Sequence, residues 1–134
     1  MQSEHLTNVH PGWVVGGWLV AIAVTSAIFL ALVGMGMVEG GSGGATGFVL
    51  AVGLGFFAGG LFVGVRWSEA PILHAVALTL TSLVVLLVVD LFGAGRGLRA
   101  TESVPLALGT LLIQFVAGVV GGTVGRRMAG GGDA

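Results

Sequence analysis

Three polar residues lie in or beside long uncharged stretches of this 134-residue chain, and their types could support chemistry. Asp90 is the only carboxylate attached to such a stretch, and an ionised carboxylate in an apolar environment is a candidate for ion or proton coupling. His74 could titrate near neutral pH or ligate a metal or a pigment. Gln114 lies in the middle of the last stretch. Together these residues form a candidate polar or ion site.

The spacing of these residues favours structural roles over chemical ones. Asp90 precedes Gly93 by three residues, so it lies close to a helix end and can pair with Arg96 or Arg99. His74 has no second ligand at motif spacing, so we expect it to hydrogen-bond a neighbour. Asp90 and His74 are 16 residues apart, or about 24 Å along a helix, which is too far for a direct relay. The sequence therefore predicts no metal site and no cofactor.

Composition excludes several classes of protein. The chain is 55% hydrophobic and 8% charged, whereas a soluble domain is about 25% charged. A net charge of −1 without any lysine offers no basic patch for nucleic acid. The absence of cysteine excludes disulfides and thiolate metal sites. No phosphate loop, catalytic triad or paired carboxylates occur in the uncharged stretches. We therefore expect a non-enzymatic integral membrane protein that contacts the lipid bilayer.

The uncharged stretches predict the elements that position these residues. They favour an all-α fold, with one membrane domain built as a bundle of four transmembrane helices. All three prolines, Pro11, Pro71 and Pro105, fall at predicted helix starts, where the missing N–H is harmless. The helices are predicted at about residues 13–38, 45–66, 71–92 and 104–126, with a flexible tail at 128–134.

Small residues recur at every fourth position in three of the four predicted helices, a spacing that permits close helix packing. We expect these positions to pack within the bundle, or to form a face for a homo-oligomer or for a larger membrane complex. The third helix is rich in Leu and Val, so helices one, two and four are predicted to pack tightly while the third faces lipid or a partner. The candidate packing residues are Ala23, Ala27, Ala31, Gly47, Ala51, Gly55, Gly59, Gly60, Gly64, Gly118, Gly121, Gly122 and Gly125.

The arginines predict the orientation in the membrane. With four spans, both termini lie on the same side as Arg66, Arg126 and Arg127, whereas Arg96 and Arg99 lie on the other side. The side with more arginine is favoured to be cytoplasmic. The predicted location is the prokaryotic inner or plasma membrane.

Two segments suggest an internal repeat. Residues 57–66 are similar to residues 116–126 with a slip of one residue, which aligns Arg66 with Arg126. Each repeat would contain two spans, so a duplication would produce a parallel repeat. Chance likeness between two glycine-rich helices is the alternative.

The segment 55–66, followed by Pro71–His74, resembles the corresponding part of a group of small uncharacterised prokaryotic four-helix membrane proteins. Those proteins have a Gly/Ala-rich second helix ending in Gly-x-Arg or Gly-Arg, and a Gly-rich fourth helix that resembles residues 118–127. The resemblance implies a fold and a membrane location, and it brings no activity.

Two functions remain open from the sequence. The first is a non-enzymatic membrane protein that acts through helix packing, as a homo-oligomer or as an accessory subunit. The alternative is a small oligomeric transporter or channel for an ion or small solute, lined by Asp90, Gln114 and the polar positions within the spans. Those hydroxyl residues, Thr25, Ser26, Thr79, Thr81 and Ser82, are otherwise expected to hydrogen-bond between helices.

Overall fold

The computed structural model describes residues 9–38, 42–67, 70–92 and 104–130. This part of the chain contains four helices and no strand, which confirms the all-α, four-helix prediction. The helices are α1 (Pro11–Gly34), α2 (Ser42–Arg66), α3 (Pro71–Phe92) and α4 (Val104–Gly130).

Three of the helices are long and apolar enough to cross a membrane: α1, residues Thr46–Arg66 of α2, and α4. The 24 residues of α1 extend about 36 Å at 1.5 Å per residue, compared with about 30 Å of hydrocarbon in a bilayer. The apolar segment Pro71–Val85 of α3 is shorter.

The end of α1 differs from its predicted position because a glycine caps the helix. Gly36 has φ 71°, a left-handed conformation that only glycine adopts without strain. The N–H of Gly36 donates to Val33 O and the N–H of Met37 donates to Leu32 O, both at 3.0 Å. This is the Schellman arrangement. The helix therefore ends at Gly34, whereas the sequence predicted an end near residue 38.

The other helix boundaries lie close to the predicted ones. α2 begins at Ser42, three residues earlier than expected, and α4 continues to Gly130. Residues 128–130 of the predicted flexible tail are thus helical, and residues 131–134 lie outside the described residues. The predicted prolines start their helices: Pro11 and Pro71 are the first residues of α1 and α3.

The helices form a ring in the order α1, α2, α4, α3. The most extensive contacts join α2 to α4, then α1 to α2 and α3 to α4, while α1 and α3 touch only slightly. Helices α1 and α2 run antiparallel, as do α3 and α4, whereas α2 and α4 run parallel. The predicted three-helix contact among α1, α2 and α4 does not form, because α1 and α4 lie at opposite corners of the ring.

Burial of α3 also differs from the prediction that this helix faces outward. Its first half packs into the bundle, where His74, Ala75 and Leu78 are each about 1% exposed. Its second half exposes Val84 and Leu87. The helix is therefore inside the bundle at one end and outward-facing at the other.

Candidate functional site: a glycine interface and a buried histidine

Two glycines of α2 contact two glycines of α4 through their backbones. A Cβ added at Gly60 would lie 3.0 Å from Cα of Gly118, and one added at Gly64 would lie 2.9 Å from Cα of Gly122. Ordinary contacts of a Cβ are 3.4–4 Å. Each α2 glycine also directs a Cα–H towards the carbonyl oxygen of its α4 partner, a weak hydrogen bond typical of closely packed helices. Only glycine fits at Gly60 and Gly64 without separating the two helices.

The same contact occurs in the reverse sense, from glycines of α4 to the backbone of α2. A Cβ added at Gly121 would lie 2.9 Å from Leu61 N and 3.0 Å from the carbonyl carbon of Phe57. One added at Gly125 would lie 2.5 Å from Leu61 O and 2.9 Å from Val65 N. Both helices therefore contribute glycines, and both contribute the backbone on which the other helix packs.

An approximate two-fold rotation, which exchanges α2 with α4, relates these two sets of contacts. Gly60 corresponds to Gly121 and Gly64 to Gly125, an offset of 61 residues in both cases. Applying that offset to the contact between Gly60 and Gly118 generates the observed contact between Gly121 and Phe57. The α2–α4 interface is thus pseudo-symmetric, as expected for a parallel repeat and not for an inverted one.

The contacts also correct the alignment of the internal repeat. With the offset of 61, residues 60–66 (GLFVGVR) match residues 121–127 (GGTVGRR) at both glycines, the valine and the final arginine. Arg66 therefore corresponds to Arg127, and not to Arg126 as the sequence comparison suggested. The shared pattern is Gly-x-x-x-Gly-x-Arg. A comparison restricted to this spacing would have found it in the sequence.

A separate pair of glycines on α2 packs against α1. A Cβ added at Gly59 would lie 2.5 Å from Gly17 O and 2.8 Å from Cβ of Ala21, and one added at Gly55 would lie 2.6 Å from Ala21 O. Gly55 also lies directly against the hydroxyl of Thr25. The face of α1 that packs is therefore the series Gly17, Ala21 and Thr25, which the sequence prediction did not include.

The predicted packing series on α1 does not pack within the chain. Ala23, Ala27 and Ala31 are all exposed. Ala23 and Ala27 follow Ala21 and Thr25 by two residues, and two residues turn a helix by about 200°. This places the predicted series on the exposed side of α1, opposite to α2.

The remaining predicted packing residues lie inside the bundle. Ala51 is fully buried, and a Cβ added at the buried Gly47 would meet Val38 at 3.1 Å. Helix α3 joins on the other side of α4, where Gly118 faces Ala75 at 3.4 Å and Gly122 faces Pro71 at 3.3 Å, both measured from an added Cβ. Gly118 and Gly122 thus lie between α2 and α3.

His74 is buried at the end of the bundle where α1 and α3 begin. Its Nδ1 lies 3.0 Å from Ala70 O, and its Nε2 lies 3.4 Å from the backbone N of His10. The His10 ring packs on Trp67 with 5.3 Å between centroids. His74 thus hydrogen-bonds to neighbours, as expected, although the bond to His10 uses a backbone N–H that the sequence did not indicate.

Four threonine hydroxyls bond within their own helix, and one serine hydroxyl bonds between helices. Trp18 Nε1 donates to Ser82 Oγ at 3.0 Å, which joins α1 to α3. The hydroxyl of Thr25, although buried, has no hydrogen-bond partner among the described residues. The threonines that donate to a carbonyl three or four residues earlier, at 2.7–3.0 Å, are Thr79, Thr81, Thr110 and Thr123. The expectation of hydroxyl bonds between helices is wrong for Thr79 and Thr81, because a nearby carbonyl of the same helix competes for each hydroxyl.

The candidate polar residues do not come together. Gln114 lies in the middle of α4, and its Oε1 is buried without a hydrogen-bond partner in the described part of the chain. His74 lies one turn from the start of α3, at the end where α4 finishes. Asp90 belongs to α3 near its other end, and its side chain lies outside what the structure describes. Arg96 and Arg99 also lie outside the described residues.

The arginines that were predicted to set the topology are exposed at one end of the bundle. Arg66 ends α2, and Arg126 and Arg127 lie in the last turns of α4, which runs parallel to α2. Among the described residues, no group of three or more His, Cys, Asp or Glu side chains could hold a metal ion.

The geometry defines a class of structure, namely a four-helix, glycine-packed bundle with three helices of membrane-spanning length. Comparison with families of proteins, with curated proteins and with solved structures finds no match. The case for a function therefore depends on the chain's own residues.

Proposed function

We propose that this chain is a four-span integral membrane protein of the prokaryotic plasma membrane, with both termini in the cytoplasm. It acts without catalysis, through helix packing, as a homo-oligomer or as an accessory subunit of a larger membrane complex. The observation that carries this proposal is the large apolar surface that the folded chain leaves exposed.

That surface is found on every helix. On α1 it includes Leu19 and Leu30, which are 57% and 68% exposed, and on α4 it includes Leu108 and Leu112, which are 63% and 64% exposed. Soluble monomers rarely expose contiguous apolar patches of more than a few hundred Å², so a bilayer is the environment that suits this surface. The exposed series of Ala23, Ala27 and Ala31 adds a flat strip on which another helix can lie.

The absence of native cysteine permits a direct test of the topology. Single cysteines would be introduced as Ala129→Cys at the end of α4 and as Ala94→Cys between α3 and α4. In intact cells, a membrane-impermeant maleimide should label Ala94→Cys and should label Ala129→Cys only after the cells are opened. Labelling of both in intact cells, or recovery of the protein in the soluble fraction, would contradict the proposal.

A second experiment tests assembly. The tagged protein would be purified from native membranes in mild detergent, and its mass would be measured by light scattering. A homo-oligomer predicts a multiple of the 13.4 kDa chain, and an accessory subunit predicts a stoichiometric partner. A lone monomer at all detergent concentrations would count against both forms of the proposal.

The buried, unpartnered Oε1 of Gln114 favours one alternative, a small oligomeric transporter or channel for an ion or small solute. A polar atom buried without a partner is costly, and a passing ion or solute would satisfy it. The glycine contacts between α2 and α4 leave no space for a path at that interface, so a path that reaches the buried Oε1 requires helices to move apart. Flux into liposomes should then fall in Gln114→Leu and in Asp90→Asn. No flux of any tested ion or solute with the wild-type protein would exclude this alternative.

A further inference from the structure

The hydrogen bonds of His74 define which ring nitrogen carries the proton. The carbonyl oxygen of Ala70 can only accept, so Nδ1 must be the protonated nitrogen in the 3.0 Å contact between them. Nε2 is then unprotonated, and it accepts from the backbone N–H of His10. The two contacts therefore agree on one neutral tautomer, and neither depends on the side chain of His10.

This bond lies at a narrow contact between α1 and α3. The polar contacts between these two helices and their N-terminal flanks include that bond and the bond from Trp18 to Ser82. His10 is the residue from which α1 starts, because its carbonyl accepts from Trp13 N and Val14 N at 3.0 and 3.1 Å. His74 thus holds the first turn of α1 against α3.

The backbone around His74 is held in a sparsely populated conformation. Ala70 has φ 51°, and it is the only residue other than glycine with a positive φ in the described ranges. Such a conformation is strained for a residue other than glycine. The Ala70 carbonyl accepts both His74 N–H at 3.1 Å and the His74 ring, so the turn before α3 and the ring hold each other in place.

We propose that His74 is a pH-sensitive latch between α1 and α3. In the neutral ring, Nε2 accepts the His10 N–H and the latch is closed. Protonation places a second N–H at Nε2, so two donors face each other and the bond is lost. Lowering the pH therefore releases the start of α1, and raising it restores the contact.

The described groups around the latch are neutral or positive. Among the described residues, the titratable or charged groups at this end of the bundle are the His10 imidazole beside α1, Arg66 of α2, and Arg126 and Arg127 of α4. The His74 ring is 1% exposed. Glu69, in the connection before α3, lies outside the described residues. Since only the neutral ring fits the closed state, protonation and opening are coupled.

The latch can be tested with His74 as the only imidazole in the protein. The chain has three histidines, so His5→Gln with His10→Ala leaves one while keeping the backbone N–H of residue 10. Nitrogen-15 NMR of the ring in detergent micelles would report its tautomer. Hydrogen exchange of the amides of residues 10 and 12–14, corrected for intrinsic rates, would report opening between about pH 8 and pH 5, where imidazole groups generally change charge.

At high pH the ring should carry its proton on Nδ1. As the ring becomes protonated, protection of the amides of residues 10 and 12–14 should fall by up to about tenfold per pH unit, the limit for one linked proton. His74→Gln should abolish this pH dependence. If that variant does not fold, the tautomer and hydrogen-exchange measurements on the protein whose only histidine is His74 test the proposal by themselves. A ring protonated on Nε2 at high pH, or a ring that titrates with no change in protection, would overturn the proposal.

Discussion

Replacing a single glycine in the α2–α4 interface by alanine tests whether backbone contact holds the bundle together. In Gly60→Ala the new Cβ would lie 3.0 Å or less from backbone atoms of Gly118. The neighbour is backbone and cannot rotate away as a flexible side chain would. The two helices must therefore separate by about 0.5 Å or more to restore ordinary contact. A gap of 0.5–1 Å forfeits about a quarter to a half of the dispersion energy of each affected pair of atoms.

Two opposing effects determine the magnitude. Overpacking of a close-packed interface costs about 1–3 kcal/mol, while alanine improves intrinsic helix propensity over glycine by up to about 1 kcal/mol. We therefore expect Gly60→Ala to lower the free energy of unfolding by about 1–2 kcal/mol. Gly121→Ala should cost a similar amount, because the two-fold exchange places Gly121 in the corresponding contact.

Gly109→Ala is the matched control. Gly109 lies in α4, and an added Cβ there meets nothing within 4 Å. This substitution keeps the gain in helix propensity and avoids the clash, so it should be neutral or stabilising by up to about 1 kcal/mol. The comparison separates packing from propensity within one helix and one type of substitution.

The assay is reversible unfolding in mixed micelles of a mild detergent and sodium dodecyl sulfate, followed by tryptophan fluorescence. The expected order of stability is Gly109→Ala at or above the wild type, with Gly60→Ala and Gly121→Ala well below it. Equal stabilities for Gly60→Ala and Gly109→Ala would refute the argument that the α2–α4 contact is made by backbone. A large loss of stability in Gly60→Ala without a similar loss in Gly121→Ala would refute the pseudo-symmetry of the interface.

Three further predictions concern other parts of the chain. Trp18→Phe and Ser82→Ala each remove one partner of the α1–α3 hydrogen bond. A double-mutant cycle measured by the same unfolding assay should give a coupling free energy of about 0.6 kcal/mol between the two residues. Zero coupling would show that the bond is not formed. Ala27→Leu changes an exposed position, so it should alter the free energy of unfolding by no more than about 0.5 kcal/mol. If that face of α1 contacts a second chain, the larger side chain should reduce cross-linking between chains. Unchanged cross-linking would assign the face to lipid. Gly36→Ala should destabilise by about 1 kcal/mol, because alanine is strained at a positive φ, and a neutral result would mean that the Schellman cap contributes little.

Much of the fold was predictable because it depends on local sequence. Uncharged stretches of more than 20 residues predict helices, and prolines at their starts and polar connectors place the ends within a few residues. The end of α1 was predicted late because hydrophobicity continues through Met37, whereas the chain turns where Gly36 adopts a left-handed conformation. Hydropathy does not detect such a cap.

The packing partners were less predictable, because spacing along a helix does not identify the face that meets a neighbour. The Ala23, Ala27 and Ala31 series has the right spacing and lies on the outer side of α1. The Gly17 and Ala21 series has the same spacing and packs on α2. Choosing between two such faces requires knowledge of where α2 lies, and that depends on all the contacts of the ring.

By itself the sequence determined the class of structure: long helices apolar enough to cross a membrane, and glycines dense enough for close packing. These properties follow from composition and local order, so no neighbour is needed to establish them. Only the tertiary structure decided the pairing of Gly60 with Gly118, its reciprocal contact at Gly121, and the bond from His10 to His74. Each joins residues about 60 positions apart, and a contact across that separation depends on helix register, which local sequence does not encode.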